Sequence, residues 1–151
     1  MLRLVRTTSE NPDFRTLVQL LDHDLADRDG AETAFYAQFN KLDLIRHAVV
    51  AYADDEPTGC GAFKEYAADL VEIKRMFVQP AQRRRGVAKA LLAELERWAG
   101  ELGYAGCVLE TGRRQPEAIA LYQRSGYALT LNYGQYVGIE NSMCMRKQLI
   151  G

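Results

Sequence analysis

The chain has 151 residues, of which 48% are hydrophobic and 26% are charged, and its formal net charge at pH 7 is −1. This length and composition predict a single globular domain, residues 1–151, with one full hydrophobic core. The near-neutral charge argues against a nucleic-acid-binding protein that relies on bulk positive charge. No apolar stretch approaches the length that crosses a membrane.

The cysteines Cys60, Cys107 and Cys144 lie far apart in apolar segments and form no Cys-x-x-Cys pair. This pattern predicts buried free thiols rather than a disulfide framework or a zinc site. Arg3 and Arg6 interrupt the apolar residues at the N-terminus, and no apolar run follows, so no signal peptide is expected. We therefore expect a cytoplasmic protein without a bound metal.

In chain order, alternating residues predict a strand over 2–6. An Asn-Pro helix start precedes a helix over 13–24, which an Asp- and Gly-containing break ends at 27–30. A second short helix is predicted over 31–38. Apolar residues at helical spacing support the first of these helices.

Residues 47–53 and 60–65 read as a hairpin whose turn is predicted over 54–59. The central strand follows at 70–78. The remaining elements are a helix over 88–102, a strand over 107–110, a helix over 117–125, and strands over 127–131 and 142–147 around a Gly- and Tyr-rich loop at 132–141. This order predicts an α/β domain with a mixed sheet.

The most informative segment joins the central strand to the helix over 88–102. It contains Val78-x-Pro80 and then Arg83-x-x-Gly86-x-Ala88. Because backbone N–H groups at a helix start are unpaired and the helix dipole is positive there, this turn predicts an anion site for a pyrophosphate-bearing cofactor.

Other phosphate-binding motifs fit poorly. Nothing matches the Walker pattern Gly-x4-Gly-Lys-Ser/Thr. Gly59 and Gly61 supply only half of a dinucleotide fingerprint, and Lys64 stands where the third glycine belongs.

These motifs resemble the GNAT superfamily of acyl-CoA-dependent N-acyltransferases. The turn has that family's Arg/Gln-x-x-Gly-x-Gly/Ala signature, and Leu121-Tyr122-x3-Gly126-Tyr127 resembles the end of its last core helix. The resemblance covers roughly residues 59–149. It implies a GNAT-like single domain, with a mixed central sheet flanked by helices and a cofactor cleft between splayed strands. It also implies an acetyl-CoA-dependent N-acetyltransferase.

The resemblance places acetyl-CoA between the strands 70–78 and 107–111. The pantetheine arm is expected to pair with the backbone near Met76, Phe77 and Val78. The pyrophosphate is expected on the turn and helix start, through Arg83, Arg84, Arg85, Gly86, Val87, Ala88 and Lys89.

The resemblance also implies that Tyr122 is the general acid, with its hydroxyl near the thioester sulfur. A phenol of pKa about 10 can protonate a departing thiolate of pKa about 8.5; the alternative is an aromatic residue packed in the core. Glu72 is the expected general base, or holds a water that serves as one. Its rival is Glu110, and its alternative role is an ion pair with Lys74.

One departure concerns the segment after Thr111. The family often has an asparagine there that contacts the pantetheine or a water, whereas this chain has Gly112-Arg113-Arg114-Gln115. Any of the last three residues could substitute.

The acceptor pocket is expected to have aromatic walls, which suit a small amine or an amino-acid-like molecule. The candidate wall residues are Tyr36, Phe39, Asn40, Tyr133 and Tyr136. Arg28, Lys74 and Arg75 could pair with a carboxylate on such a substrate.

The leading hypothesis is acetyl transfer to a small-molecule primary amine by direct attack in a ternary complex. The alternatives are a protein or peptide lysine acetyltransferase and a non-catalytic CoA-binding module. A nucleic-acid binder that uses the three arginines is less consistent with the charge. A homodimer through the C-terminal strands is implied by the resemblance alone.

Overall fold

The structure of the protein, a computed structural model, describes residues 1–29 and 45–149. The helix predicted over 31–38 lies outside the described residues, as do Tyr36, Phe39 and Asn40. The side chain of Arg28 is also outside the described part.

The described strands form one mixed seven-stranded sheet. They are β1 (Leu2–Thr7), β2 (His47–Ala53), β3 (Glu56–Ala67), β4 (Leu70–Val78), β5 (Gly106–Gly112), β6 (Ala128–Thr130) and β7 (Ser142–Gln148). Their spatial order is β1-β2-β3-β4-β5-β7-β6. Only β4 and β5 pair in parallel; the other neighbouring strands of this sheet are antiparallel.

The described helices are α1 (Pro12–Asp29), α2 (Val87–Glu101) and α3 (Pro116–Arg124). α1 begins where the Asn-Pro pair predicts it, because the Asn11 Oδ1 atom accepts hydrogen bonds from the backbone N–H groups of Asp13 and Phe14. Within the described ranges, no helix has the length and apolar character needed to cross a membrane.

Apolar side chains cover the sheet in two layers, one on each face. α2 packs on one face through Val87, Leu91, Leu92, Leu95 and Ala99. α1 packs on the other through Phe14, Leu17, Val18 and Leu21. Along β2, Val49 belongs to the α2 layer and Val50 to the α1 layer, as the two-residue period of a strand requires. Each fully buried leucine stabilises the fold by about 1.5–3 kcal/mol.

The predicted turn over 54–59 was wrong in length. The turn consists of Asp54 and Asp55, with φ of 52° and 69°, and β3 already begins at Glu56. Two positive φ values are what a two-residue hairpin turn of the right twist needs, and aspartate tolerates that region better than most residues. The acidic pair therefore replaces the longer turn expected from Pro57 and Gly59.

β4 contains a bulge at Arg75. Ala62 pairs with Lys74 and Cys60 pairs with Phe77, so Gly61 alone stands opposite two residues of β4. Arg75 has φ 61°, in the left-handed region that costs a non-glycine residue free energy. The bulge turns Lys74 and Arg75, although consecutive, toward the α1 face.

The parallel pairing of β4 and β5 is short. It runs only from Leu70 opposite Gly106 to Ile73 opposite Leu109. Beyond that point β4 stays paired with β3 and β5 with β7, so the two strands diverge and open a cleft between them. This is the splayed-strand architecture that the resemblance implies.

Gly59 and Gly100 provide a matched test of this packing. A Cβ atom at Gly59 would lie 2.8 Å from the Phe77 carbonyl oxygen and 3.1 Å from the Leu91 Cδ1 atom, whereas at Gly100 nothing lies within 4 Å. We expect Gly59→Ala to lower the free energy of unfolding by about 1–3 kcal/mol. Gly100→Ala, in the exposed last turn of α2, should raise it by about 0.5–1 kcal/mol. Urea denaturation measures both, and effects of the same sign would contradict the packing described here.

Candidate active site

The cleft between the diverging strands collects side chains from both faces of the sheet. Its described lining is Leu21 and Leu25 of α1, Glu72–Met76 of β4, Glu110–Gly112 of β5, and Gln115, Ala118, Tyr122 and Tyr136. Glu72, Lys74, Met76, Tyr122 and Tyr136, all predicted site residues, are thus brought together here. Glu72, Lys74 and Met76 come from β4, Tyr122 comes from α3, and Tyr136 comes from the loop between β6 and β7.

Glu72 lies on the α1 face of β4, since its neighbours Val71 and Ile73 belong to the α2 layer. It is 4% exposed, and its Oε2 atom accepts a hydrogen bond of 2.7 Å from the Tyr133 hydroxyl. Burial, together with the negative charge of Glu72, raises the pKa of Tyr133. Tyr133 therefore remains a hydrogen-bond donor at neutral pH and holds the carboxylate in one orientation.

The loop that carries Tyr133 is organised by one asparagine that the sequence analysis did not single out. The Asn132 Nδ2 atom donates to the carbonyl oxygens of Tyr136, Ile139 and Ser142, at 3.0–3.1 Å. The Tyr133 ring also packs edge-on against the ring of Tyr136. The only indication in the sequence that Asn132 organises this loop was its position in a Gly-rich segment.

Lys74 shares the cleft with Glu72. Burial lowers the pKa of its ammonium group, and the nearby carboxylates of Glu72 and Glu110 oppose that shift. The positive charge of Lys74 is therefore more easily lost than that of an exposed lysine.

Tyr122 enters from α3, on the opposite side of the sheet from Glu72. It is buried, and its ring packs against that of Tyr127, with 5.8 Å between centroids. Burial, and to a lesser degree the negative charge of Glu110, raises the pKa of Tyr122. Its hydroxyl is therefore protonated at neutral pH, and the residue lines the cleft.

The turn after β4 has the backbone of an anion site. Arg84 and Gly86 have φ of 67° and 80°, and Gly86 is the N-cap of α2 without a side-chain cap. The first N–H groups of a helix have no partner within it, so those at the start of α2 are available to a ligand. A Cβ atom at Gly86 would have nothing within 4 Å, so this turn is open.

The four basic predicted residues of this segment divide into two kinds. The Arg83 Nε atom donates to the Val78 carbonyl oxygen at 2.9 Å, and its guanidinium lies over the Phe77 ring. Arg83 therefore stabilises the turn through contacts with the end of β4. Arg84, Arg85 and Lys89 are exposed and can approach a phosphate. Val87 is buried and anchors the helix, whereas Ala88 is half-buried.

The structure distinguishes two of the residues in the segment Gly112-Arg113-Arg114-Gln115, which departs from the family pattern. Gln115 lines the cleft, whereas the Arg113 Nε atom donates to the Glu140 carbonyl oxygen at 2.6 Å. Of these two residues, only Gln115 therefore lines the cleft. The sequence analysis did not identify Leu21 and Leu25, which line the cleft, or Asp22, which accepts a hydrogen bond from Arg75. Leu21 and Leu25 counted there only as apolar residues at helical spacing.

Comparison with known proteins agrees with this geometry. The model of the acetyltransferase (GNAT) family matches residues 12–127. An IAA acetyltransferase from Azospirillum brasilense is 35% identical over 151 residues, covering 96% of this chain and 98% of that protein.

Solved structures share the fold. A Klebsiella pneumoniae protein described as an acyl-CoA N-acyltransferase has a TM-score of 0.83 and 27% identity, over 99% of both chains. The PaiA N-acetyltransferase from Thermoplasma acidophilum, solved in complex with coenzyme A, has a TM-score of 0.73 and 18% identity, over 98% of this chain and 99% of that one. The chain therefore belongs to the acetyltransferase (GNAT) family and is an acyltransferase.

Proposed function

We propose that residues 1–151 act as one N-acetyltransferase domain, which moves an acetyl group from acetyl-CoA to the primary amine of a small molecule. The observation that carries this proposal is that Tyr122 and Glu72 line one cleft, from opposite faces of the sheet. An open anion-binding turn lies at the end of the strand that carries Glu72. Transfer occurs by direct attack while donor and acceptor are both bound.

Two features of the chain and one comparison fit acetyl-CoA as the donor. The start of α2 offers N–H groups to a pyrophosphate. Met76, Phe77 and Val78 belong to the part of β4 that β5 no longer pairs with, so their backbone can bond to the amides of pantetheine. Related PaiA was solved with coenzyme A. When bound, acetyl-CoA supplies an already activated thioester.

The reaction then requires two proton transfers. Glu72, directly or through one water, accepts the proton that the amine loses as the new C–N bond forms. Tyr122 donates a proton to the sulfur as the C–S bond breaks. Holding both reactants in one cleft supplies much of the remaining acceleration.

The acceptor side of the cleft favours a small molecule over a protein. Tyr136 and the aliphatic side chains of Leu21 and Leu25 line it together with Glu72, and Tyr136 is 2% exposed. We propose a cytoplasmic site of action, supported by three buried free thiols, Cys60, Cys107 and Cys144. A homodimer through the C-terminal strands stays a prediction; the exposed Leu129 in the edge strand β6 is consistent with it.

Gly86 tests the donor site. We expect Gly86→Glu to weaken acetyl-CoA binding at least tenfold in calorimetric titration, because its carboxylate faces the pyrophosphate. Gly86→Gln has the same size and the same backbone strain but no charge, so it should bind more tightly than Gly86→Glu. The difference should shrink in high salt. Wild-type protein that does not bind acetyl-CoA would overturn the proposed donor.

Tyr122 and Tyr127 test the proton donor. Tyr122→Phe should lower kcat by about 100-fold or more while acetyl-CoA affinity is retained, because it removes one hydroxyl from the cleft. Tyr127→Phe removes a buried hydroxyl that donates instead to Glu96 at 2.9 Å, so kcat should stay near the wild-type value. Steady-state rates with a panel of small amines measure both. Equal losses would indicate a structural role for Tyr122.

Glu72 and Glu110 test the base. Glu72→Gln should lower kcat/KM by about 100-fold at neutral pH. The loss should shrink at high pH, where more of the amine is already unprotonated and hydroxide can accept the proton released as the C–N bond forms. Glu110→Gln should have the smaller effect. A pH–rate profile of each variant checks this, and the reverse order would assign the base to Glu110. Lysine-containing peptides assayed beside the small amines decide the acceptor class.

A further inference from the structure

Arg75 has a buried guanidinium group whose hydrogen bonding is incomplete. Its side chain is 2% exposed, and the Nη1 atom donates to the Asp22 Oδ1 atom at 2.9 Å. Its Nε and Nη2 atoms are buried and have no hydrogen-bond partner among residues 1–29 and 45–149. Because a buried N–H group of a charged side chain is costly without a partner, these two atoms point to a missing ligand.

The two atoms are neighbours on one edge of the guanidinium. Their N–H bonds are parallel, and this spacing matches the two oxygens of a carboxylate in a bidentate pair. Asp22 holds the opposite side of the same planar group through Nη1. The guanidinium is thereby fixed in orientation before any ligand arrives, which reduces the entropy cost of binding.

Arg75 belongs to the active-site cleft because of the bulge in β4. In a regular strand Arg75 would point to the α2 face, opposite Lys74; with the extra residue it lies on the α1 side and lines the same cleft as Glu72 and Tyr122. The bulge also holds Arg75 at φ 61°. Backbone strain of this kind is commonly retained where it orients a functional side chain.

The ionisable side chains of the cleft suit a molecule with both charges. In the described lining, the carboxylates of Glu72 and Glu110 accompany the cationic groups of Lys74 and Arg75. An acceptor with an ammonium group and a carboxylate complements both pairs, whereas a simple amine would complement only the carboxylates.

We propose that the acceptor is an amino acid or a close analogue, whose carboxylate binds the Nε–Nη2 edge of Arg75 and whose amine faces Glu72. This inference rests on the proposed acetyl transfer and names the acceptor class of that same site. The carboxylate takes no part in bond making; it orients the amine. Arg75 is therefore a specificity-determining residue.

The experiment compares amino acids with their own primary amides as acceptors of the wild-type enzyme. The amide keeps the amine and the side chain but replaces the carboxylate, so kcat/KM should be at least tenfold lower for the amide. In Arg75→Gln, kcat/KM for the amino acid should fall 10- to 100-fold, mainly through KM, and should fall by a clearly smaller factor for the amide. For Arg75→Lys, kcat/KM for the amino acid should lie between the values of the wild type and of Arg75→Gln, because lysine keeps the charge but not the paired donors.

A second measurement does not depend on turnover. The deaminated analogue of the amino acid, which keeps the carboxylate and the side chain but has no amine, is titrated into enzyme saturated with coenzyme A. It should bind to the wild-type protein, and its affinity should fall at least tenfold in Arg75→Gln. Circular dichroism checks that each variant is folded. If Arg75→Gln unfolds, the wild-type preference and Arg75→Lys still test the inference.

The outcomes separate this inference from the proposed function. Amines acetylated equally well with and without a carboxylate, with no effect of Arg75→Lys, would overturn the acceptor class and leave acetyl transfer intact. No acetylation of any amine would overturn the proposed function, and the titration would then decide the carboxylate site alone. An absence of carboxylate binding to the wild-type protein would overturn the proposed carboxylate site at Arg75.

Discussion

Pairing between β4 and β5 ends at Ile73 and Leu109, and the candidate site occupies the space that opens beyond this point. The strands remain ordered after they part because β3 and β7 continue to pair with their outer edges. One edge of β4 is then left for a ligand in the middle of a sheet. The gap also lets Tyr122, from α3, and Glu72, from the other face, meet in one cleft. Without the separation, the sheet would keep these two side chains apart.

Burial of polar groups around this gap sets their protonation. Tyr122 and Tyr133 both have raised pKa values, mainly because burial disfavours the phenolate. Both hydroxyls therefore remain protonated at neutral pH, and that of Tyr133 donates to Glu72. The same burial lowers the pKa of Lys74. The site thus contains several buried polar groups, whose burial costs stability and shifts their pKa values.

Two non-glycine residues near the site, Arg75 and Arg84, have a left-handed backbone conformation. Arg75 forms the bulge that redirects β4, and Arg84 lies in the turn before α2. Neither position could be identified from its residue type, since arginine has no preference for positive φ. In contrast, Gly86 stands where the anion-binding turn needs φ of 80°, and its place in the sequence motif predicted that turn.

The sequence by itself determined the order of the described elements, the anion-binding turn and the Tyr122 helix end, because each depends on neighbouring residues and local periodicity. It also identified Glu72 as a carboxylate inside an apolar strand. Only the tertiary structure decided that Tyr133 binds Glu72, that Asn132 organises their loop, and that Gln115 rather than Arg113 lines the cleft. It alone showed Asp22 beside Arg75, 53 residues apart in the chain. These contacts depend on strand register, on a bulge and on the packing of α1, none of which local residue patterns encode.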